Sequence, residues 1–339
     1  MIIADQQTTS SVVICAYTLD RWDDLSAAVE SALEGVQKPT ELIVVIDHNE
    51  ELLRRARAAF EQLAGSVTVV PNGHRKGLSG ARNTGVGLAA GDVVLFLDDD
   101  AQADPWWLAR LLAHYGDPAV IGVGGAASPT WPSDTTGRPS FYPAADGDAW
   151  GELDWVVGCS YNGQPDHPVA VRNMMGCNMS FRRIVLAGTA GFAETLGRVG
   201  RVPLGCEETE LCIRLRQERS GSLIIFEPTA IVRHRVSADR LTWRYVIKRC
   251  YGEGVSKAAV AAMVGADDAL ETERGYVLRI LPAAAVRELG RGLTRSPRHL
   301  QGAAGIVLAV AATALGYLRG CRPGRRRLPI AAPAAAVSA

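Results

Sequence analysis

The chain of 339 residues predicts an α/β fold, a largely parallel sheet flanked by helices with a helical extension at its C-terminal end. Two observations predict the sheet. Apolar runs without polar alternation recur from residue 11 to residue 97, separated by amphipathic segments, as in strands covered on both faces. The run Val93-Val94-Leu95-Phe96-Leu97 then stops in Asp98-Asp99-Asp100, and ligands of parallel sheets collect at such carboxyl ends. A third observation, the Ala- and Gly-rich apolar stretch at 302–318, predicts the extension.

Residues 11–17 read as a first strand, followed by a helix at 23–33 with Leu25, Val29 and Leu33 on one face. Residues 41–46 form a second buried strand ending at Asp47, 52–63 a charged amphipathic helix, and 67–70 a short third strand. Ser79 is placed to cap a helix running to Ala90, which leads into the strand that ends in the aspartates. This strand-helix rhythm belongs to a parallel nucleotide-binding sheet. The segment 131–163, with four prolines in or beside it and many aromatics, reads either as a cover over substrate or as a satellite core under a long loop. Regular pattern returns at 174–181, 204–215 and 223–232.

Alternate strand residues share a side, so Asp98 and Asp100 point together and Asp99 points away. Two hard oxygen ligands suit Mg²⁺ or Mn²⁺, whereas helix capping accounts for one Asp and leaves two unexplained. A second acidic group, Glu207-Glu208, precedes Leu211, Ile213 and Leu215; its acids favour a helix N-terminus and offer a general base for an alcohol, or they serve the helix dipole and Arg214. His234 ends an apolar strand between two arginines, as a metal ligand or a surface residue. The glycines of Gly85-Val86-Gly87 match a dinucleotide fingerprint but fall late in a helix, and no phosphate-binding G-x-x-x-x-G-K-[ST] loop occurs.

Lys plus Arg equal Asp plus Glu at 36 each, which argues against bulk binding of nucleic acid. Seven cysteines without a C-x-x-C pair fit reduced thiols, and the polar first residues do not resemble an export signal, so a cytoplasmic location is expected. The stretch 302–318 is at the short limit for crossing a bilayer and has arginines on both sides, which fits a helix lying on anionic lipid better than a span; a soluble helix packed on the domain is the alternative.

In order along the chain, these motifs resemble family 2 glycosyltransferases of the GT-A fold, from about Ser11 to Ala258. Val12-Val13-Ile14-Cys15-Ala16-Tyr17 resembles the family's opening strand and uridine-contacting turn, Asp47 its base-contacting acid, and Gly80-Ala81-Arg82-Asn83 its G-x-A-R-N helix start. Asp98-Asp99-Asp100 resembles the D-x-D metal motif, and Gly176-Cys177-Asn178-Met179-Ser180-Phe181 a segment near the acceptor side. Glu207-Glu208 falls where the family carries E-D, the second residue being its base. His234 stands where some members add a metal ligand. The chain departs from the family at Asp47-His48-Asn49, where D-D or D-x-S is usual, and at Glu208, where Asp is usual.

The resemblance implies a GT-A domain at 11–240 with a mostly parallel mixed sheet, and composition adds a helical region at 241–320 with a membrane-associated segment expected at 302–318 and disordered ends at 1–10 and 321–339. It implies an inverting transferase that moves sugar from a nucleoside diphosphate sugar, UDP being the expected nucleotide, to an acceptor hydroxyl. Glu208, or Glu207 in a shifted register, would be catalytic; Ala16, Tyr17, Asp47, Arg82, Asn83, Asp98 and Asn178 would bind substrate; Asp98, Asp100 and His234 would hold Mg²⁺ or Mn²⁺. The apolar, Arg-flanked tail favours a lipid-linked or cell-envelope acceptor met at the cytoplasmic face of a membrane, a small secondary metabolite being compatible with the same motifs. A sugar nucleotidyltransferase and a non-catalytic membrane-associated binding protein are the competing classes. The first lacks a basic Gly-rich triphosphate loop, and the intact acids weigh against the second.

Overall fold

The computed structural model describes residues 8–63, 65–133, 137–147, 150–198 and 205–322. The expectations for the extreme ends, residues 1–7 and 323–339, lie outside these described residues.

The first half of the chain alternates as its apolar pattern requires: β1 (Ser10–Ala16), α1 (Trp22–Leu33), β2 (Glu41–Ile46), α2 (Glu50–Phe60), β3 (Val67–Pro71), α3 (Leu78–Leu88) and β4 (Val93–Asp98). β1 pairs in parallel with both β2 and β4, and β2 with β3. The chain thus builds outward from β1, then returns to its other side, leaving a crevice beyond the carboxyl ends of β1 and β4. Cys15 and Asp98 are register partners at that point. The apolar runs are explained by two-sided burial, since Val12, Ile14, Leu42, Val44, Leu95 and their neighbours are in the interior.

Beyond β4 the sheet becomes mixed. β5 (Ala101–Ala103), α4 (Trp107–Leu112) and β6 (Val120–Thr130) precede β7 (Val169–Ala170), β8 (Asn178–Arg182), α5 (Arg183–Ala187), α6 (Glu207–Glu218) and β9 (Leu223–Arg235). β8 runs antiparallel between β4 and β6, and β9 lies parallel to β6. The order β3-β2-β1-β4-β8-β6-β9-β5 has two register shifts in β6 against β9, which let the long β9 bend across to β5. There Ala101 pairs with His234, bringing the histidine beside the aspartates.

Four helices follow: α7 (Trp243–Val264), α8 (Ala266–Gly275), α9 (Leu281–Thr294) and α10 (Arg298–Gly320), with a π-helical turn at Tyr276–Ile280. Thr242 caps α7 by accepting from the Tyr245 amide. These helices share a core with the aromatic segment: Phe141, Tyr142, Leu153 and Val156 pack with Val246, Cys250, Leu281 and Ile306. The satellite-core reading of that segment therefore describes Phe141 and Tyr142, while Trp155 and Tyr161 of the same segment line a cavity that opens at the sheet crevice. Two glycines make the α7–α10 contact possible, because a Cβ on Gly254 or Gly316 would collide with the Thr313 or Tyr251 carbonyl oxygen.

One local expectation is corrected. Ser79 does not cap α3; Gly77 is the N-cap, and the Ser79 hydroxyl, inside the first turn, donates to the Leu196 carbonyl. That bond ties α3 to the segment before α6, a long-range demand that outweighs the local capping preference.

Candidate active site

A cavity of about 960 Å³ opens at the sheet crevice and is lined by Ala16, Tyr17, Asp47, Arg82, the three aspartates, Glu207, Glu208 and His234. Five buried side-chain polar atoms have no hydrogen-bond partner among the described residues: Asp99 Oδ2, Trp155 Nε1, Glu207 Oε2, Ser222 Oγ and His234 Nδ1. All five residues line this cavity. Such orphans are rare in protein interiors, and their concentration around one space marks it as built for a polar ligand.

The strand register assembles the acids. The Asp100 carbonyl accepts from the Arg235 amide at 2.8 Å, and the ligand atoms of Asp98, Asp100 and His234 lie within 4.8 Å of one another. Two carboxylates and an imidazole at this spacing fit a divalent cation, His234 Nε2 being the nitrogen that faces Asp100. Burial opposes charge on His234, but the Asp100 carboxylate at 3.3 Å overrides it and raises the imidazole pKa to about 10. Burial would likewise raise Asp100, yet His234, Arg21 and Arg240 hold it well below the usual carboxylate range. Asp99 has a different use: Arg21 bridges it at 2.8 Å and Asp100 at 3.0 Å. Burial dominates at Asp99 and pushes it to about 7.

α6 delivers the second acidic pair on its first turn, after Cys206 in a left-handed conformation at φ 70°. The two acids part company there. Glu207 is interior and bonded to Arg82 at 2.7 Å, while Arg82 also reaches Asp98 at 3.3 Å and the Gly176 carbonyl at 2.8 Å. Among the described residues Glu208 has no cationic partner within ion-pair distance; Thr209 donates to it at 3.1 Å. Burial and the adjacent Glu207 carboxylate raise its pKa to about 7.

Asp47 sits at the end of β2, where Asn72 donates to it at 2.7 Å and the Gly77 amide at 2.9 Å. His48 at φ 51° turns the chain, and Asn49 caps α2, which accounts locally for the departure from the family pattern. Two expected substrate contacts are corrected. Asn178 is fully interior, bonded to Trp107 Nε1 and to the Ala126 and Ala230 carbonyls, so it holds β8 to its neighbours and does not reach the cavity. Asn83 faces away from the cavity and bonds both backbone groups of Phe192. Reading motifs alone also missed Arg21, Arg198, Arg240 and Arg249, all of which line the cavity. None lies inside an acidic motif, and only the fold gathers them.

The model of glycosyl transferase family 2 matches residues 11–187. A glucosyl-dolichyl phosphate glucuronosyltransferase of Haloferax volcanii is 31% identical over 313 residues, covering 91% of this chain and 95% of that protein. The chain belongs to glycosyltransferase family 2. It is a glycosyltransferase with a GT-A fold. Among solved structures, a mannosyltransferase from Pyrobaculum calidifontis in complex with GDP-Man and Mn²⁺ superposes with a TM-score of 0.60 at 17% identity, covering 93% of this chain and 88% of its own. GalNAc-T7 with UDP, GalNAc and Mn²⁺ gives 0.52 at 16% identity, with 83% and 58% covered. At these identities the structural likeness speaks to the fold. The family places the chain among sugar transferases and apart from the nucleotidyltransferase and non-catalytic alternatives.

Proposed function

We propose that this transferase moves a sugar, with inversion, from a nucleoside diphosphate sugar to a hydroxyl of a lipid-linked acceptor at a membrane surface. The single observation that carries the chemistry is the arrangement of Glu208 and the Asp98–Asp100–His234 cluster as separate groups lining one cavity. A divalent cation on that cluster, Mn²⁺ or Mg²⁺, would supply charge neutralisation at the departing diphosphate. Ala16, Tyr17 and Asp47 line the part of the cavity at the ends of β1 and β2, suited to the nucleoside. Glu208 takes the proton of the acceptor hydroxyl, the oxygen forms its bond to the anomeric carbon, and the bond from that carbon to the diphosphate oxygen breaks. One displacement from the opposite face inverts the centre. Arg82 acts indirectly: it holds Glu207 and Asp98 in place from below.

A lipid-linked acceptor is supported by the dolichyl phosphate acceptor named for the Haloferax volcanii relative. It is supported also by the outer face of α9 and α10, where Val286, Leu289, Leu293, Val307, Leu315 and Leu318 are exposed. α10 is the one helix among the described residues long and apolar enough to cross a membrane, yet its Gly302, Gly305, Ala309 and Gly316 face packs on protein. A helix pair lying on the bilayer fits both facts.

Incubation of purified protein with Mn²⁺, a panel of UDP- and GDP-sugars and a short-chain polyprenyl phosphate sugar, with chromatography of the released nucleotide, tests this reading. Release that accompanies a heavier lipid product supports it, and absence of lipid glycosylation with every donor contradicts it.

A further inference from the structure

The cavity extends past the acids to the C-terminal helices, and its far wall carries a charge imbalance. On α7, Arg249, Glu253 and Lys257 recur every four residues and so form one stripe. The neighbouring stripe, Cys250 and Gly254, packs against α10 at Thr313 and Gly316. The charged stripe therefore borders the α10 wall of Val310, Ala314 and Tyr317, and both face the cavity.

Two carboxylates there serve three cations. Glu253 pairs with Arg249 at 2.6 Å and Lys257 at 3.3 Å; Glu273 pairs with Lys257 and, through both oxygens, with Arg172. Arg198 adds a further cation that has no carboxylate within ion-pair distance among the described residues. Its backbone is fixed by a bond from the Leu78 amide to its carbonyl; burial and the like charges of Arg240 and Arg249 depress its pKa, opposed by Tyr245 and Asp100. An unpaired guanidinium in a recessed site is costly unless an anion joins it. The Arg249 guanidinium lies 3.9 Å from where a Cβ on Gly205 would stand, just before the Cys206 N-cap of α6.

We propose that Arg198 and Arg249 form an anion subsite for the phosphate of the lipid-linked acceptor, whose hydrocarbon chain runs along the Val310, Ala314 and Tyr317 wall. The inference rests on the lipid-linked reading above. The donor diphosphate belongs with the Asp98–Asp100–His234 cluster. A phosphate between Arg198 and Arg249 leaves the sugar attached to it beside Glu208, and its chain leaves along α10 toward the exposed apolar face.

Calorimetric titration of the full chain with decyl phosphate, decyl glucoside, inorganic phosphate and UDP–Mn²⁺ tests the subsite. The wild type should bind decyl phosphate more tightly than decyl glucoside or inorganic phosphate. Arg198→Ala should weaken decyl phosphate about tenfold or more while sparing decyl glucoside and UDP–Mn²⁺. Arg198→Lys should retain part of the affinity, and Ala314→Trp should weaken both decyl ligands and spare inorganic phosphate. Unchanged decyl phosphate binding in Arg198→Ala overturns the subsite and leaves the lipid-linked reading standing. A loss that falls on UDP–Mn²⁺ alone assigns Arg198 to the donor and overturns it as well. Failure of the wild type to bind either decyl ligand overturns the lipid-linked reading together with the subsite.

Discussion

Arg82 and Glu207, on α3 and α6, are joined at 2.7 Å inside the protein, with side chains 2% and 5% exposed. This pair splits the acidic doublet: one Glu is committed to the interior, and its neighbour Glu208 is left to the cavity. Separating a buried pair leaves a charge without compensation, which costs about 3 to 5 kcal/mol. Glu207→Ala should accordingly lower the thermal midpoint by several degrees and distort the site through Asp98, whereas Glu208→Gln should leave the midpoint at neutral pH close to that of the wild type. Calorimetric melting of the two variants checks this, and equal melting of Glu207→Ala and wild type contradicts the assigned role of Glu207.

The raised pKa of Glu208 sets a pH dependence. As the proton acceptor it must be ionised, so kcat/KM should rise with pH through about 7 and level off above it. The same shift has the opposite sign for stability. A carboxyl whose folded pKa lies above its ordinary 4.5 binds its proton more tightly when folded, so its stabilising effect is present at low pH and fades as pH rises through about 7. Glu208→Gln should thus be inactive but more resistant to urea than the wild type at alkaline pH. Urea titrations on both sides of neutrality read that difference.

Cation binding should follow pH for a different reason. His234 carries a proton up to about pH 10 because of Asp100, and a metal ligand must lose that proton. The apparent Mn²⁺ affinity should rise by up to about tenfold per pH unit across the neutral range, in line with one released proton. His234→Gln should bind Mn²⁺ more weakly and with a flatter pH dependence. A wild-type affinity independent of pH would remove His234 from the ligand set.

The exposed apolar face of α9 and α10 should carry the protein onto membranes. Flotation with vesicles containing anionic phospholipid should recover the wild type in the lipid fraction, and Leu293→Asp combined with Leu315→Asp should shift it to the soluble fraction without loss of helicity. Both leucines are more than half exposed, so the substitutions cost little packing. Equal flotation of the double variant would place the contact elsewhere.

The sheet was legible because two-sided burial writes itself as continuous apolar runs, and β1, β2 and β4 fall within a residue or two of the expected spans. The aspartate cluster was legible because three charges cannot end a buried strand without a use. Asn83 and Asn178 misled for one reason: their motifs lie near the site in sequence, but their amide groups satisfy backbone of the Phe192 segment and of the neighbouring strands β6 and β9. A motif gives proximity along the chain and says nothing of where the side chain points. The positive wall was invisible for the converse reason, since Arg198, Arg249 and Arg172 come from separate segments, and only packing shows that Arg249 and Arg172 meet carboxylates while Arg198 meets none among the described residues.

Glu208 is proposed to activate the acceptor opposite a cation held by Asp98, Asp100 and His234. The most direct test is single-turnover sugar transfer to the lipid acceptor in saturating Mn²⁺ by wild type, Glu208→Gln and Asp100→Ala, each first shown to be folded by circular dichroism. Glu208→Gln should still bind UDP–Mn²⁺ but transfer at least about a hundredfold more slowly, and Asp100→Ala should lose both binding and transfer. Undiminished transfer by folded Glu208→Gln would contradict the role of Glu208.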